Sequence, residues 1–423
     1  MTAKEGNFLK KSDVIRVGAS NIMALVTAVI IGLALPRFTS YETYAGYREY
    51  TLFIGFSGLL HFGFVNGVAL RYGSLSLNEL PYETFRVYSR FFAVAELIIA
   101  AILTAVLFIA PGGRITPLFF VAVNMLFENL RAYFSTITIF TGRFRTDAVL
   151  QFLYRGIQLL GFLLILWQGS GGWLGFLLFT TVLNAAILAI YAVCNSALII
   201  PFAGSITDHG PDMIKTVRRG IPVLLGEQLS LLILGADSIF ARLFFDAKQF
   251  SVYSFAVYIV VTAYTVINAA NTVIFPYLKR IEEKDMAKRY RDLKNISLIL
   301  SLIMSVFFFI CPAAIRRLMP GYEDSIPFLC ILAVTLFFRT LQGMACSNTM
   351  KALDMEKEYF RCCAVTCVAA VLSDTAVYMI WRDLRPIAVC SVLVFAFWYF
   401  LCDHLIRKRL GKNERSVDNN TCV

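Results

Sequence analysis

Three arginines of this sequence lie inside long apolar stretches: Arg131, Arg155 and Arg339. A guanidinium stays charged at any physiological pH, and its fork of N–H donors matches the oxygens of a phosphate. A charge at membrane depth is costly and usually faces the interior of a helix bundle or a water-filled cavity. We therefore interpret these arginines as ligands for an anion with an apolar part, such as a lipid that carries a diphosphate. An inorganic cation would instead favour an acidic cavity.

Each of these arginines also has a structural interpretation. Glu128 precedes Arg131 by three residues, so the two share one helix face. They form either an intrahelical ion pair or a cavity-lining cation steadied by its own carboxylate. Arg155 lies near the end of its apolar stretch, and its side chain either enters the cavity or extends to the membrane surface. Arg339 is near the middle of its stretch, which favours a cavity position.

Other polar residues in the apolar stretches complete the set of candidate site residues. Three amides are predicted to contact the polar part of the substrate, beside the arginines: Asn21, Gln228 and Gln342. Five residues are predicted to bind a coupling ion or to pair with buried charges: Glu128, Glu227, Asp237, Asp374 and His61. In contrast, we expect Glu96 to extend its carboxylate to the membrane surface.

The composition identifies the kind of element that must position these residues. Of the 423 residues, 58% are hydrophobic and 16% are charged, and the mean hydropathy is +0.69. Soluble chains carry roughly 45–50% apolar and about 25% charged residues. The net charge of +11 is spread over short segments between apolar runs, so it indicates membrane topology and does not indicate binding to nucleic acid. The predicted fold class is an all-α polytopic membrane protein.

The apolar runs predict about twelve membrane-spanning helices, since a span needs about 20 mostly apolar residues. The predicted spans are 14–35, 49–70, 91–111, 115–140, 149–168, 174–195, 219–240, 250–275, 295–315, 326–348, 362–381 and 386–406. The break at Pro111-Gly112-Gly113 separates the third span from the fourth. Three regions follow from this pattern: a six-helix bundle over 1–205, a second over 206–408, and a polar cytoplasmic tail over 409–423.

Lysine and arginine concentrate in alternate connecting segments, which predicts that both termini are cytoplasmic. The longest cytoplasmic connector runs from Lys279 to Lys294 and is interpreted as a solvated, partly helical linker near anionic lipid headgroups. The first span has no small-residue cleavage site after it, so we do not expect a cleavable signal peptide.

Motifs for enzymatic chemistry are absent from the sequence. It has no Gly-x-x-x-x-Gly-Lys-Ser/Thr loop, no His-Glu-x-x-His pair and no Gly-x-Ser-x-Gly elbow. Its ten cysteines form no Cys-x-x-Cys pair and there are only three histidines, so we expect neither a metal site nor a disulfide framework. The sequence therefore predicts no catalytic residues and no cofactor, and it favours transport over an enzyme.

Two regions of the chain resemble Wzx-type polysaccharide flippases, which belong to the multidrug/oligosaccharidyl-lipid/polysaccharide exporter (MOP) superfamily. The similar segments near the start are LPRFTSYETYAGY at 35–47, GLLHFGF at 58–64 and LRYG at 70–73. Those of the seventh span are RGIPVLLGEQLS at 219–230 with Asp237 and Arg242.

This resemblance implies two six-helix bundles around a central cavity that opens alternately to either side of the bacterial plasma membrane. It also implies a substrate, an undecaprenyl-diphosphate-linked oligosaccharide that moves from the cytoplasmic to the outer leaflet for O-antigen or capsule synthesis. The expected partners are this lipid-linked oligosaccharide, the bilayer, a coupling proton or sodium ion, and proteins of glycan assembly.

Two other functions remain open. A cation-coupled drug exporter of the same superfamily predicts acidic residues grouped in one half of the chain, and the buried arginines argue against it. A membrane glycan polymerase or acyltransferase needs an outside catalytic loop or an intramembrane His/Asp site. The short outside loops and the single intramembrane His61 give it little support.

Overall fold

The structure of the chain is a computed structural model that describes residues 11–109, 116–169, 172–201, 206–268, 278 and 285–421. Within these ranges the regular secondary structure is helical. The α-helices are α1 (Lys11–Phe38), α2 (Tyr41–Ile54), α3 (Phe64–Tyr72), α4 (Tyr82–Ile109), α5 (Pro117–Phe140), α6 (Phe144–Trp167), α7 (Trp173–Cys194), α8 (Ile206–Phe244), α9 (Ala247–Asn268), α10 (Met286–Leu318), α11 (Ile326–Thr340), α12 (Asn348–Ala352), α13 (Glu356–Trp381) and α14 (Leu384–Thr421). Short 3₁₀ segments cover Ser57–His61, Leu77–Glu79, Ser196–Leu198 and Glu323–Ser325, and a π-helical segment covers Leu341–Ser347.

The helices confirm the predicted all-α membrane fold. In the described ranges, 10 helices are long and apolar enough to cross a membrane, and α2 with α3 forms a further pair that bends by 60°. Helix α5 covers the predicted fourth span but falls outside this set, because Asn124, Glu128, Asn129 and Arg131 lower its hydropathy. Each of the twelve predicted spans thus falls on a helix or on the bent pair.

Some sequence predictions concern residues outside the described ranges. The break at Pro111-Gly112-Gly113 and the first half of the charged connector, 279–284, are among them. The cytoplasmic location of both termini stays a prediction.

The chain divides into two compact units, Met1–Gln228 and Leu229–Val423. The unit boundary falls inside α8, so this helix contributes its first part to one unit and its second part to the other. The predicted division after residue 205 lies just before the start of α8 and stays a prediction, as does the polar tail over 409–423.

The first unit is built around α5, which packs against α2, α3, α4, α6 and α7. Its core is rich in aromatic rings: Phe64 of α3 stacks on Phe92 at 5.2 Å and on Tyr133 at 6.1 Å between ring centroids. The outer faces are apolar, as Leu97 and Ile102 of α4 show by being more than half exposed. This is the arrangement expected where lipid surrounds the helices, and it leaves the interior for polar side chains.

In the second unit, α11 packs against α9, α10 and α14. It continues through the π-helical segment into α12 without leaving the helical path. Single π-helical turns inside α-helices are rare overall, and those that occur are often at functional sites. Arg339 and Gln342 lie on either side of the start of this segment, and both are buried.

Helices α3 and α8 approach each other at glycines of the first unit. An added Cβ on Gly220 of α8 would lie 1.9 Å from the carbonyl oxygen of Gly63, and one on Gly67 would lie 2.0 Å from the carbonyl oxygen of Thr216. Gly63 also has a φ of 79°, which side chains rarely adopt. Only glycine allows the two backbones to touch here, as small residues do at other membrane helix interfaces.

Gly220→Ala is therefore expected to destabilise the protein by about 1–3 kcal/mol, because the new methyl group forces two backbones apart. The measurement is thermal unfolding of the detergent-solubilised protein. Gly226→Ala on the same helix is the matched control, since its Cβ meets no atom within 4 Å. Equal melting temperatures for the two variants would contradict this account of the α3–α8 contact.

Candidate functional site

Two of the three predicted arginines meet at one aromatic ring in the first unit. The Cζ atom of Arg131 on α5 lies 5.4 Å from the ring centroid of Tyr154 on α6, and that of Arg155 lies 5.1 Å from it. Tyr154 is buried, and its hydroxyl donates a hydrogen bond to Oδ1 of Asn184 on α7 at 2.9 Å. The ring is thus fixed in place, and its π-face attracts both guanidinium groups.

Two glutamines of α6 orient these guanidinium groups. Nη1 of Arg131 donates to Oε1 of Gln151 at 3.4 Å, and Nη1 of Arg155 donates to Oε1 of Gln158 at 3.1 Å. Gln151 precedes Tyr154 by three residues and Gln158 follows it by four, so all three share one face of α6. The ring of Tyr154 thus has two cations and two amides around it, one cation from α5 and the other groups from α6. This is a suitable set of donors for phosphate and sugar oxygens.

Arg131 forms an ion pair with Glu128, one of the two interpretations that their spacing left open. The pair joins Nη2 to Oε2, and the two side chains are 16% and 21% exposed. Nε of Arg131 is buried without a hydrogen-bond partner in the described ranges. Arg155 differs, because no carboxylate within those ranges lies at ion-pair distance from it. The site therefore combines one neutralised cation with one that lacks a carboxylate partner.

A hydrogen-bonded chain leads from this site to the beginning of α6. Nε2 of Gln151 donates to the hydroxyl of Tyr191 at 3.4 Å, and that hydroxyl donates to Oδ1 of Asp147 at 2.7 Å. Ser135 of α5 donates to the same carboxylate oxygen at 2.6 Å. The sequence analysis did not single out Asp147, because its partners come from two other helices, α5 and α7, and no local spacing reveals them.

The polar residues of α5 also connect it to α7. Nδ2 of Asn184 donates to Oδ1 of Asn124 at 2.8 Å, and Nδ2 of Asn124 donates to Thr181 at 2.7 Å. These amides satisfy each other inside the bundle, as polar residues between membrane helices commonly do. They hold Asn184 in position to fix the ring of Tyr154.

In the second unit, the predicted Asp237 of α8 lies at the junction of three helices. Its side chain is 3% exposed. Oδ2 accepts hydrogen bonds from the hydroxyl of Tyr253 on α9 at 2.7 Å and from Oγ of Ser391 on α14 at 2.9 Å. Oδ1 accepts from the backbone N–H of Ser238 at 2.6 Å. Both carboxylate oxygens are thus held, and the carboxylate ties α8, α9 and α14 together.

Arg339 and Asp374 lie in the same unit and both interact electrostatically with Asp237. Arg339 is 3% exposed, and its Cζ lies 4.2 Å from the ring centroid of Phe395 on α14. Within the described ranges, Nε of Arg339 and Oδ1 of the buried Asp374 have no hydrogen-bond partner. Around Asp237, the described part of this unit thus brings together one guanidinium and two buried carboxyl groups, and of these two acids Asp237 is the one with both oxygens hydrogen-bonded.

The predicted amides differ in their surroundings. Asn21 is exposed on α1, Gln228 is half-buried on α8, and Gln342 is buried in the π-helical segment. In the part of the chain that the structure describes, Oε1 of Gln228 and Nε2 of Gln342 are buried without hydrogen-bond partners. Their role as substrate ligands stays a prediction.

Two further predicted residues lie in the first unit. Glu227 lies on α8, and His61 ends the 3₁₀ segment of the bent second span. Glu227 is exposed and accepts a hydrogen bond from Nδ2 of Asn66 at 3.1 Å. His61 is buried, and its Nδ1 accepts from the backbone N–H of Gly63 at 3.1 Å. His61 therefore stabilises the bend of the second span locally.

Glu96 does not reach the membrane surface, contrary to the sequence-based expectation. It is 1% exposed and points from α4 toward α5, where its Oε2 accepts a hydrogen bond from Nδ2 of Asn129 at 2.9 Å. The expectation considered only depth along the helix. The rotational position of Glu96 is set by the lipid-facing residues Leu97 and Ile102, which turn the opposite face of α4 inward.

Comparison with solved structures identifies the fold. A structure described as lipid II flippase MurJ in an inward closed conformation matches with a TM-score of 0.70 at 15% identity, covering 94% of this chain and 88% of that chain. An inward-facing multidrug resistance MATE family transporter of the MOP superfamily matches with a TM-score of 0.69 at 14% identity, covering 95% and 99%. A MOP superfamily transporter from Pyrococcus furiosus, described as having a binding pocket of reverse polarity, matches with a TM-score of 0.59 at 13% identity, covering 97% and 99%.

No family model and no curated protein matches the sequence. The likeness to the solved structures spans nearly the whole chain, so the chain has the fold of MOP-superfamily transporters. This finding confirms the predicted fold class.

Removal of the donors to Asp237 is expected to destabilise the second unit. Tyr253→Phe and Ser391→Ala each remove one hydrogen bond to a buried carboxylate oxygen and should cost about 1–3 kcal/mol. The double variant leaves Oδ2 without a donor. Its loss of unfolding free energy should therefore exceed the sum of the losses in the two single variants. Thermal unfolding measures all three, with Thr375→Ala as the control because Thr375 is exposed. Strict additivity would show that the two hydroxyls act independently of this oxygen.

Proposed function

We propose that the chain is a membrane transporter that flips a polyprenyl-diphosphate-linked oligosaccharide from the cytoplasmic to the outer leaflet by alternating access. The observation that carries the proposal is the convergence of Arg131 and Arg155 on the ring of Tyr154, inside a unit with apolar outer faces. In this proposal the membrane is the bacterial plasma membrane, both termini are cytoplasmic, and the product serves surface polysaccharide synthesis. The chain itself is not an enzyme.

The chemistry of the substrate explains why two cations and two amides are useful at this ring. A diphosphate offers several anionic oxygens to guanidinium forks, and the sugar hydroxyls next to it pair with amides such as those of Gln151 and Gln158. The apolar chain of the lipid does not need the protein, because it can remain in the bilayer. Asn21, Gln228 and Gln342 are further proposed sugar ligands, and Arg339 is a proposed third cation for the substrate.

Glu128 has a specific part in the proposed cycle. In the substrate-free carrier it neutralises Arg131, so that Arg155 is the one cation at this ring without a carboxylate partner in the described ranges. A diphosphate that binds to Arg131 competes with this carboxylate for the same N–H donors. The carboxylate therefore limits the affinity of the loaded state and speeds release of the lipid.

The solved structures with this fold include proteins of both relevant kinds. One is described as a lipid II flippase, so the fold accommodates the movement of a lipid-linked substrate in that protein. Another is described as a MOP superfamily transporter in which the reverse polarity of the binding pocket suggests a different function. These descriptions are compatible with the proposal that buried arginines of this chain adapt the fold to an anion.

Ion coupling is a further part of the proposal. Asp237 and Asp374 are the leading residues, since both are buried in one unit and interact electrostatically. Glu227 and His61 are proposed as secondary coupling or charge-pairing residues of the first unit. A proton or a sodium ion is the proposed coupling ion.

The pair of buried acids Asp237 and Asp374 favours a second candidate function, a cation-coupled exporter of small molecules. The grouping of Asp237 and Asp374 in one unit is the pattern that such an exporter predicts, and MATE family transporters share the fold. The two functions differ in their substrates. Drug resistance on expression without any flipping activity would favour the exporter, and flipping without resistance would favour the first proposal.

The first test is substitution of the arginines at the ring. Arg131→Gln and Arg155→Gln each remove charge-assisted hydrogen bonds worth about 1.5–3 kcal/mol, so binding of a sugar-linked prenyl diphosphate should weaken roughly 10- to 150-fold. Isothermal titration with detergent-solubilised protein measures the binding. Flipping of the same fluorescent lipid in proteoliposomes should fall in parallel.

Arg145→Gln is the control for this test, because Arg145 is exposed on the same helix. It should retain both binding and flipping. Full activity of the Arg131 and Arg155 variants, with a normal melting temperature, would refute the assignment of a diphosphate site to this ring.

The second test concerns the ion pair. Glu128→Gln removes the internal competitor, and a partly exposed ion pair is worth up to about 1 kcal/mol, so the lipid should bind up to about fivefold more tightly. Flipping should slow, because release becomes harder. Glu83→Gln, exposed in the first turn of α4, serves as the control. Weaker binding by the Glu128 variant would mean that the carboxylate supports the site and does not compete within it.

A further inference from the structure

Glu96 is a buried acid that the proposed transport site does not use. It lies in the middle of α4, a membrane-spanning helix, and only 1% of its surface is exposed. Its Oε1 is buried without a hydrogen-bond partner in the described ranges of the chain. An acid at membrane depth with an unsatisfied oxygen is costly, and such residues are usually functional.

The other oxygen of Glu96 connects it to the break in the second span. Nδ2 of Asn129 on α5 donates to Oε2 of Glu96 at 2.9 Å and to the carbonyl oxygen of Ser57 at 3.1 Å. Both N–H groups of this amide are thus used, one on each partner. Asn129 is itself buried, so water does not replace either bond.

Ser57 begins the 3₁₀ segment Ser57–His61, which leads into the bend of the second span. The two parts of that span, Tyr41–His61 and Phe64–Tyr72, meet at 60°. Phe62 and Gly63 follow it with positive φ angles. A broken helix leaves carbonyl groups that need partners within the bundle, and for Ser57 that partner is Asn129. The amide therefore links the buried acid to the position of the break.

The surroundings of Glu96 offer it no cation. In the described ranges, the charged or titratable groups on the elements packed against α4 are engaged elsewhere. Glu128 and Arg131 of α5 pair with each other, the hydroxyl of Tyr133 on α5 shares a hydrogen bond with Ser89, and Nδ1 of His61 accepts one from the backbone N–H of Gly63. On α4 itself, the hydroxyl of Tyr88 donates a hydrogen bond to Oδ2 of Asp212. In the described part of the chain, Asn129 is the one side chain that interacts with Glu96.

A proton is the ligand that fits this site. Hard metal cations are held by sets of oxygen ligands, and here the carboxylate faces one amide donor only. A proton needs a single oxygen, and Oε1 is free to take it. Proton binding removes a charge that the apolar surroundings do not stabilise.

We propose that Glu96 is a proton-binding site whose occupancy sets the conformational freedom of the break in the second span. When Glu96 is ionised, its bond from Asn129 is charge-assisted and the amide is held firmly against the Ser57 carbonyl. When a proton is bound, that bond is weaker, the amide can turn away, and residues 57–63 become looser. The second span thus responds to proton binding on a different helix.

Hydrogen–deuterium exchange of the reconstituted protein tests this proposal. After correction for the intrinsic pH dependence of amide exchange, peptides that cover residues 57–63 should exchange several-fold faster at mildly acidic than at mildly basic pH. Glu96→Gln, which imitates the neutral acid, should exchange at the fast rate at every pH. Glu83→Gln on the same helix should behave as the wild type does.

Two further measurements keep the test decisive if the Glu96 variant does not fold. Asn129→Ala removes the link, so it should abolish the pH dependence at 57–63. An infrared difference spectrum of this variant should still show the carboxyl band that titrates in the wild type. A wild-type exchange rate at 57–63 that is independent of pH would overturn the proposal, and so would a pH dependence that persists in Asn129→Ala or in Glu96→Gln.

Discussion

A polar group inside these helix bundles is costly unless it finds a partner within the protein, because lipid supplies none. Helix α5 shows how strongly this requirement shapes the first unit. Its amides and charges each reach a different neighbour: Asn124 reaches α7, Asn129 reaches α4 and the break of the second span, and Arg131 reaches α6. A helix that carries several amides and charges is therefore the central one of this unit, and its polar residues connect it to the helices around it.

The second unit meets the same requirement in another way. Its central helix α11 carries Arg339, which has an aromatic ring at 4.2 Å and acids at longer range, whereas Arg131 has a carboxylate on its own helix. The carboxylate of Asp237 is held by hydroxyl groups from two other helices. Direct ion pairing thus holds Arg131 in the first unit, and hydrogen bonds from hydroxyl groups hold Asp237 in the second.

The sequence predicts the fold well because hydropathy along the chain measures the property that places a helix in lipid. It also places Glu128 and Arg131 on one helix face, since three residues on one helix is a local distance, and the ion pair that forms is one of the two interpretations that this spacing left open. It does not predict Tyr154, Asp147 or the Glu96–Asn129–Ser57 connection. These depend on contacts between helices that are far apart in sequence, and only packing brings them together. The rotation of α4 about its axis, which decides where Glu96 points, is likewise set by neighbours and lipid.

Under the proposed function, the protein has to be stable both with and without its anionic substrate, and this requirement accounts for the difference between the two arginines at Tyr154. If both had carboxylate partners, the site would be neutral when empty and a diphosphate would have to displace two ion pairs. If neither had one, two bare cations would face each other in the empty bundle. One paired and one carboxylate-free arginine lie between these extremes. Under the proposal, the paired arginine binds the diphosphate only in competition with Glu128, and the carboxylate-free arginine binds it without such competition. The shared ring lowers the cost of the second cation in the empty state, since a π-face stabilises a guanidinium without neutralising it.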